Sequence, residues 1–206
     1  MKYIDLTHTL KHGMPVFPGE KAPSLIRDIL PDEVGYVTFR LESNMHTGTH
    51  IDAPFHVKSG QLTIDDYPVD FFTGSAVIID VRGKDIVEMQ PEWELLFLGH
   101  EIVFFCTGHS MNWSNENYYS DYPVFDTVIA QELVRCNVRI AGFDSPSPDK
   151  DPFGFHSVFL NGEHFLIENM ANLEQLVGKA NITFMGFPLK IQAEASLIRA
   201  VAVTEI

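Results

Sequence analysis

Residues 44–56 of the sequence, NMHTGTHIDAPFH, restrict the local structure that this part of the chain can adopt. His46 and His50 have the i, i+4 spacing that places two metal ligands on one face of a helix. Gly48 and Pro54 interrupt the segment, however, and the β-branched residues between them also disfavour a helix. The segment is therefore predicted to be a strand.

In an extended strand, four polar side chains of this segment share one face, because side chains alternate between the two faces. They are His46, His50, Asp52 and His56. A straight strand separates residues i and i+4 by about 13 Å, which is too far for both to bind one ion at about 2.1 Å. We therefore expect the backbone to bend at Gly48, where glycine adopts dihedral angles that other residues avoid.

Two imidazoles and one carboxylate form a three-ligand set that leaves a metal ion one position for water, as in catalytic sites. His56 lies beyond this set and follows Pro54, whose ring restricts the local backbone. A histidine held there would face the substrate and transfer protons near neutral pH. The alternative is that the histidines are ordinary surface or core residues.

A second pair of metal-ligating residue types lies in FHSVFLNGEHFLIENM, residues 155–170. His156 and Glu168 flank a turn predicted at Asn161-Gly162. Glu168 follows three apolar residues, so we expect it to be half-buried, and a buried carboxylate needs a cation or hydrogen-bond donors. The alternative is a solvated or capping glutamate.

The rest of the chain predicts a strand-rich α/β fold in a single domain, residues 1–206. Asp126 is predicted to cap a helix over 126–136, and a second helix is predicted over 171–178. Seven short apolar or alternating runs predict strands at 2–10, 36–43, 75–81, 101–106, 138–144, 181–187 and 197–206.

Composition excludes several classes of partner. The formal net charge is −14 with no basic cluster, which argues against binding to nucleic acid or to an anionic membrane. The N-terminus lacks the apolar region of a signal peptide, and no uninterrupted apolar run reaches the length of a membrane span. Cys106 and Cys136 lie in apolar runs and are predicted to be buried free thiols, with a disulfide as the alternative. We expect a cytoplasmic protein.

The segment HTGTHIDAPFH, residues 46–56, resembles the H-x-G-T-H-x-D-x-P-x-H signature of the cyclase family of metal-dependent hydrolases. Four further segments are similar to that family, at 14–20, 105–110, 142–149 and 196–203. The family includes arylformamidases and isatin hydrolases. The resemblance implies a swivelling β/β/α fold and hydrolysis of an amide bond in a small molecule, with N-formyl-L-kynurenine as the expected substrate.

The resemblance also implies roles for individual residues. His46, His50 and Asp52 would bind a first metal ion; Asp52 and Glu168 would bridge to a second ion, which His156 completes. His56 would be the proton shuttle. The family binds Zn²⁺ or Mn²⁺, as one or two ions, and typically forms homodimers or larger homo-oligomers.

Two positions depart from the family pattern, and both concern the substrate. Phe17 stands where kynurenine formamidases carry a substrate-lining tryptophan, and His109 stands where a tryptophan is expected. The alternatives are therefore an isatin hydrolase-like enzyme for another cyclic amide or lactone, or a metal-binding module without catalysis. A serine hydrolase is disfavoured because Ser110 and Ser145 lie outside a G-x-S-x-G motif.

Four residues carry predictions about the surroundings of the site. Asp144 would either orient a histidine ligand or form a turn before Ser-Pro. Phe17, Phe55 and Phe71 would form an aromatic wall for a planar substrate, and the alternative for each is a place in the core, since the chain has 16 phenylalanines.

Overall fold

The computed structural model of the protein describes residues 1–29, 32 and 35–205. Its helices are α1 (Trp93–Leu98), α2 (Thr127–Arg135) and α3 (Gly154–Phe159). Its strands are β1 (Lys2–Asp5), β2 (Ser24–Ile29), β3 (Thr38–Glu42), β4 (His50–Asp52), β5 (Thr73–Asp80), β6 (Ile86–Val87), β7 (Ile102–Cys106), β8 (Val124–Phe125), β9 (Ile140–Phe143), β10 (Phe165–Glu168), β11 (Ile182–Pro188) and β12 (Ala195–Thr204).

Seven strands close into a barrel-like ring in the order β12-β11-β5-β7-β9-β10-β4, and β4 pairs with β12 to complete it. Strand β1 adds to the free part of β12. Strands β5, β7, β9 and β10 are mutually parallel, so their carboxyl ends meet at one edge of the sheet. Short β4 runs antiparallel to β10 and carries His50 to the same edge.

Apolar side chains fill both faces of the ring. On β7, Phe104 packs in one core cluster with Phe165 and Phe184, whereas Phe105 packs in the other. The second cluster includes buried side chains of all three helices, which therefore cover the outer face of the parallel strands. The strand-rich α/β fold predicted from the sequence is confirmed.

The predictions for individual elements had mixed outcomes. The helix capped by Asp126 is confirmed: it is α2, and Asp126 Oδ1 accepts a hydrogen bond from Val128 N at 3.0 Å. The helix predicted over 171–178 is wrong. Only a 3-10 turn at Leu173–Gln175 forms there, because the left-handed conformations of Asn172 (φ of 59°) and Gly178 (φ of 73°) leave just five residues between them for a helix. Ile206, at the end of the predicted last strand, lies outside the described residues.

Cys106 and Cys136 are both buried free thiols, as predicted. Within residues 1–29, 32 and 35–205, the helices are too short or too polar to cross a lipid bilayer.

Candidate active site

The histidine-rich segment bends sharply before it enters β4. Gly48 has a φ of 64°, in the left-handed region that favours glycine, and the bend predicted from the sequence lies there. Only residues 50–52 are a strand, and Pro54–His56 form a 3-10 turn. The bend and the turn bring the rings of His46 and His56 to 4.4 Å between centroids.

Pairing of β4 with β10 sets His50 directly opposite Glu168. His50 Nε2 lies 3.3 Å from Glu168 Oε2 and 3.5 Å from Asp52 Oδ1, and His46 Nδ1 lies 3.0 Å from the same Asp52 oxygen. His50 Nδ1 donates to the Gly48 carbonyl at 2.8 Å, which leaves a lone pair on Nε2. The strand register thus points one imidazole lone pair at two carboxylates.

His156 reaches the same place from helix α3. Its Nδ1 donates to Asp149 Oδ1 at 2.7 Å, and its Nε2 lies 3.2 Å from Glu168 Oε1. Asp149 Oδ2 also accepts from the backbone N of Phe155 and of His156, at 2.7 and 3.2 Å, and so fixes the start of the helix. Asp149 was missed by the sequence reasoning. The feature of the sequence that could have indicated Asp149 is an acidic side chain a few residues before the start of a helix.

Several ligand-type atoms at this point have no hydrogen-bond partner among the residues that the structure describes, although they are buried. They are His50 Nε2, both carboxylate oxygens of Asp52, and Glu168 Oε1. Buried carboxylates facing imidazole lone pairs are unfavourable unless a cation lies between them. These atoms therefore fit a divalent metal ion, and their nitrogen and oxygen donors suit Zn²⁺ or Mn²⁺.

Two groups of side chains are close enough to hold an ion, each with ligand atoms within 4.8 Å of one another. One is His50, Asp52 and Glu168; the other is His46, Asp52 and His56. Asp52 belongs to both groups. The grouping differs from the ligand sets implied by the family resemblance, because His56 joins His46 and Asp52 in this arrangement.

Electrostatics keep the carboxylates ionised. Burial would raise the pKa of Asp52 and of Glu168, but the surrounding histidines hold both below their usual range. Burial would likewise lower the pKa of His46, yet Asp52 raises it to about 9. The pKa of His156 rises to about 10 despite its burial, because Asp149 and Glu168 favour its charged form. In the chain without metal, protons thus compensate the buried carboxylates.

His56 differs from these two histidines. Burial lowers the pKa of His56, and the neighbouring imidazoles of His46 and His156 act in the same direction, against the attraction of Asp52. His56 is therefore neutral at pH 7 and able to accept a proton.

These residues line one side of a cavity of about 420 Å³. Its apolar walls include Phe17, Tyr119 and Phe153, with Phe17 edge-on to Tyr119 at 6.1 Å between ring centroids. No lysine or arginine is among the described residues that line it. The size of the cavity and its aromatic walls suit a small aromatic molecule.

Only one of the three phenylalanines predicted as an aromatic wall lines this cavity. Phe17 does, whereas Phe55 is exposed and Phe71 packs against Tyr67 and Phe165 in the core. The 3-10 turn after Ala53 directs His56, and not Phe55, to the site, and Phe71 takes the alternative position, in the core. Tyr119 and Phe153 take their place.

Asp144 does not orient a histidine. It is fully buried and accepts hydrogen bonds from Thr107 N and Oγ1 at 2.7 and 2.6 Å, and from Gly108 N at 2.8 Å. Asp144 thus joins the ends of β7 and β9, and the carboxylate that orients a histidine is that of Asp149. His109 is buried against Tyr118 and does not line the cavity.

Comparisons with known proteins place this geometry in a family. Residues 4–150 match the family model described as putative cyclase. The kynurenine formamidase of Salinibacter ruber is 31% identical, over 98% of this chain and 97% of that protein; the one from Bacillus cereus is 30% identical, over 97% and 96%. The structure of isatin hydrolase A from Labrenzia aggregata is 25% identical, with a TM-score of 0.84 over 99% of this chain and 94% of its own. The chain therefore belongs to the cyclase family.

Proposed function

We propose that the chain is a metal-dependent hydrolase of carbon–nitrogen bonds other than peptide bonds, of the arylformamidase type. It would convert N-formyl-L-kynurenine to L-kynurenine and formate. The observation that carries the proposal is the set of unpartnered buried ligand atoms of His50, Asp52 and Glu168 beside an aromatic cavity. The names of the similar kynurenine formamidases support this substrate.

The metal ligands we propose are His46, His50 and Asp52 for one ion, with Asp52, Glu168 and His156 for a second. Zn²⁺ is the expected ion, and Mn²⁺ fits the same nitrogen and oxygen donors. When bound, such an ion makes a water molecule more acidic and polarises a carbonyl oxygen. Asp149 and the Gly48 carbonyl hold two of the imidazoles with Nε2 toward the site.

His56 is the proposed proton shuttle. It lines the cavity beside His46, and its lowered pKa leaves it neutral at pH 7. It would take a proton from the attacking water and return it to the nitrogen of the departing amine. The second possibility is that His56 acts as a ligand, since its ring lies in one of the two metal-sized groups with His46 and Asp52.

The first experiment measures metal per chain by mass spectrometry and hydrolysis of N-formyl-L-kynurenine before and after chelation. We expect one or two equivalents of metal, with turnover lost on chelation and restored by Zn²⁺ or Mn²⁺.

His56→Ala should keep its metal and lose most turnover, whereas Asp52→Ala should lose the metal. His100→Ala is the matched control, because the His100 ring bonds to the Leu96 carbonyl in α1, away from the cavity. Metal loss from His56→Ala would make His56 a ligand.

A second candidate is hydrolysis of a cyclic amide or lactone, as in an isatin hydrolase. The observation that favours it is Phe17, which lines the cavity with a smaller ring than tryptophan. Comparing kcat/KM for isatin and N-formyl-L-kynurenine decides between the two, and Phe17→Trp should shift the ratio toward the formamide. Bound metal without turnover on either substrate would indicate a binding module.

Three further features belong to the same proposal. Residues 1–206 would form one hydrolase domain, it would act in the cytoplasm, and it would assemble as a homodimer or larger homo-oligomer. Light scattering after gel filtration measures the oligomeric state directly.

A further inference from the structure

Asn169 lies in the same cavity, immediately after Glu168 at the carboxyl end of β10. It is 1% exposed and holds a left-handed backbone conformation with φ of 54°. Asparagine tolerates this conformation better than most residues, but it still requires support from its surroundings.

Nearly every polar group of Asn169 is bonded within the protein. Its backbone N donates to the Ser145 carbonyl at 2.9 Å, and its own carbonyl accepts from Thr49 Oγ1 at 2.6 Å. Its side-chain Oδ1 accepts from the Tyr118 hydroxyl at 3.0 Å. In the described part of the chain, only the side-chain NH₂ group makes no hydrogen bond.

The Tyr118 hydroxyl decides which way round the amide lies. Tyr118 is 1% exposed, and burial raises its pKa well above the usual value, so its hydroxyl keeps its proton and must donate it. Reversing the Asn169 amide would turn its NH₂ group toward the Tyr118 oxygen and leave the buried hydroxyl proton without the acceptor that it has in Oδ1. Oδ1 therefore faces Tyr118, and the NH₂ group is left to the cavity.

This NH₂ group differs in kind from its neighbours. The carboxylates of Asp52 and Glu168, which line the same cavity, offer only acceptor oxygens when ionised. A neutral, fixed donor among them complements an oxygen atom that gains negative charge. Asn169 cannot exchange protons at neutral pH, so it has no role as an acid or base.

We propose that Asn169 is a catalytic residue whose NH₂ group donates a hydrogen bond to the carbonyl oxygen of the amide substrate, and that Tyr118 is a positioning residue that holds this donor. The inference rests on the proposed amide hydrolase function. Water forms a bond to the carbonyl carbon, the oxygen takes up charge, and the carbon–nitrogen bond then breaks as the amine gains a proton. Asn169 bonds the oxygen throughout and is unchanged at the end.

The test compares Asn169→Ala, Tyr118→Phe and the control Asn172→Ala in the metal-loaded chain. Asn172 also has a left-handed backbone, with φ of 59°, but its side chain bonds to the Asp5 carbonyl outside the cavity. The substrates are formanilide, isatin and dihydrocoumarin, so an amide, a lactam and a lactone are all offered. For each variant kcat, KM, metal content and Tm are measured.

We expect Asn169→Ala to lower kcat by about 10²–10³ on every substrate that the wild type hydrolyses, with metal content unchanged and KM little affected. Tyr118→Phe should lower kcat by a smaller factor, and Asn172→Ala should leave it unchanged. A kcat within threefold of wild type for Asn169→Ala, or loss of metal from it, overturns the inference. If Asn169→Ala does not fold, an unchanged kcat in Tyr118→Phe overturns it instead.

The two proposals fail in different ways. A wild type that hydrolyses isatin or dihydrocoumarin but no formamide contradicts the arylformamidase function, and the Asn169 comparison is then made on the active substrate. A wild type that hydrolyses formanilide with Asn169→Ala at full rate contradicts only the inference about Asn169. A wild type inactive on all three substrates contradicts both.

Discussion

His156 and Asp149 form a 2.7 Å hydrogen bond between Nδ1 and Oδ1, and the opposite ring nitrogen faces Glu168 at 3.2 Å. The same Asp149 carboxylate accepts from two backbone N–H groups at the start of α3. One side chain thus fixes both the helix and the direction in which its histidine points. The direction of the His156 ring is therefore fixed by Asp149 as well as by the six-residue helix that carries it.

Asp149→Ala should weaken metal binding about 10–100-fold, as is usual when a partner of a histidine ligand is removed. The imidazole would lose its fixed tautomer, and the first N–H groups of α3 would lose their acceptor. Competition with a fluorescent chelator measures the affinity. Asp126→Ala is the matched control, because Asp126 caps α2, and its carboxylate accepts from Val128 N away from the cavity. Equal affinities in the two variants would contradict the role assigned to Asp149.

The sequence was most informative where chemistry and backbone constraint coincide. In residues 46–56, the glycine, the proline and four ligand-type side chains all restrict the same short segment, and the bend at Gly48 lies where it was predicted. The pairing of His50 with Glu168 could not be predicted from the sequence, because it depends on the register between two strands that lie more than a hundred residues apart in the chain.

The sequence does not show which of two nearby aspartates contacts a histidine of the site. The segment GFDSPSPD offers Asp144 and Asp149, five residues apart, and only the tertiary structure shows which one reaches a histidine. Asn169 gave no signal either, since its role depends on the direction of one amide and on a hydroxyl from Tyr118.

Asp144→Ala should destabilise the protein and leave the metal affinity of the folded chain unchanged. The Asp144 carboxylate is the acceptor for three donors of Thr107 and Gly108, and each buried donor left unpaired costs about 1–3 kcal/mol. Urea unfolding measures the stability, and chelator competition measures the affinity. Asp144→Asn is the graded variant, since its amide retains one acceptor oxygen. A variant of normal stability but weakened metal binding would return Asp144 to the role of orienting the metal site.

Gly48→Ala should lower both stability and metal affinity. At a φ of 64° an added Cβ strains the turn between His46 and His50, and the Cβ would also lie 3.3 Å from Met14 Cε, which would have to move by a few tenths of an ångström. The control is Gly60→Ala, at a φ of 84° with no atom within 4 Å of the added Cβ. Thermal unfolding and metal titration are measured for both. The control should share the backbone strain of about 1 kcal/mol but bind metal normally. Normal metal binding by Gly48→Ala would show that the turn tolerates the strain.

The stability of the metal-free protein should fall as the pH rises from about 6.5 to 10. The pKa of His46 is raised to about 9 by Asp52, and that of His156 to about 10 by Asp149 and Glu168, in each case against the effect of burial. A pKa that is higher in the folded than in the unfolded state stabilises the protein fully below the unfolded value of about 6.5. That stabilisation is lost as the pH passes through the folded value.

Bound metal should stabilise the protein more as the pH rises, which is the reverse of the trend in the metal-free protein. The reason is that a metal ion binds neutral imidazoles and competes with protons for them. We therefore expect the difference in Tm between metal-loaded and metal-free protein to widen steadily from pH 6.5 to 9.5. Thermal scans with EDTA or with added Zn²⁺ measure it. His156→Gln, which cannot be protonated, should flatten the metal-free curve over the same range. A metal-free Tm that stays constant or rises with pH would show that His46 and His156 do not hold the protons that compensate Asp52 and Glu168.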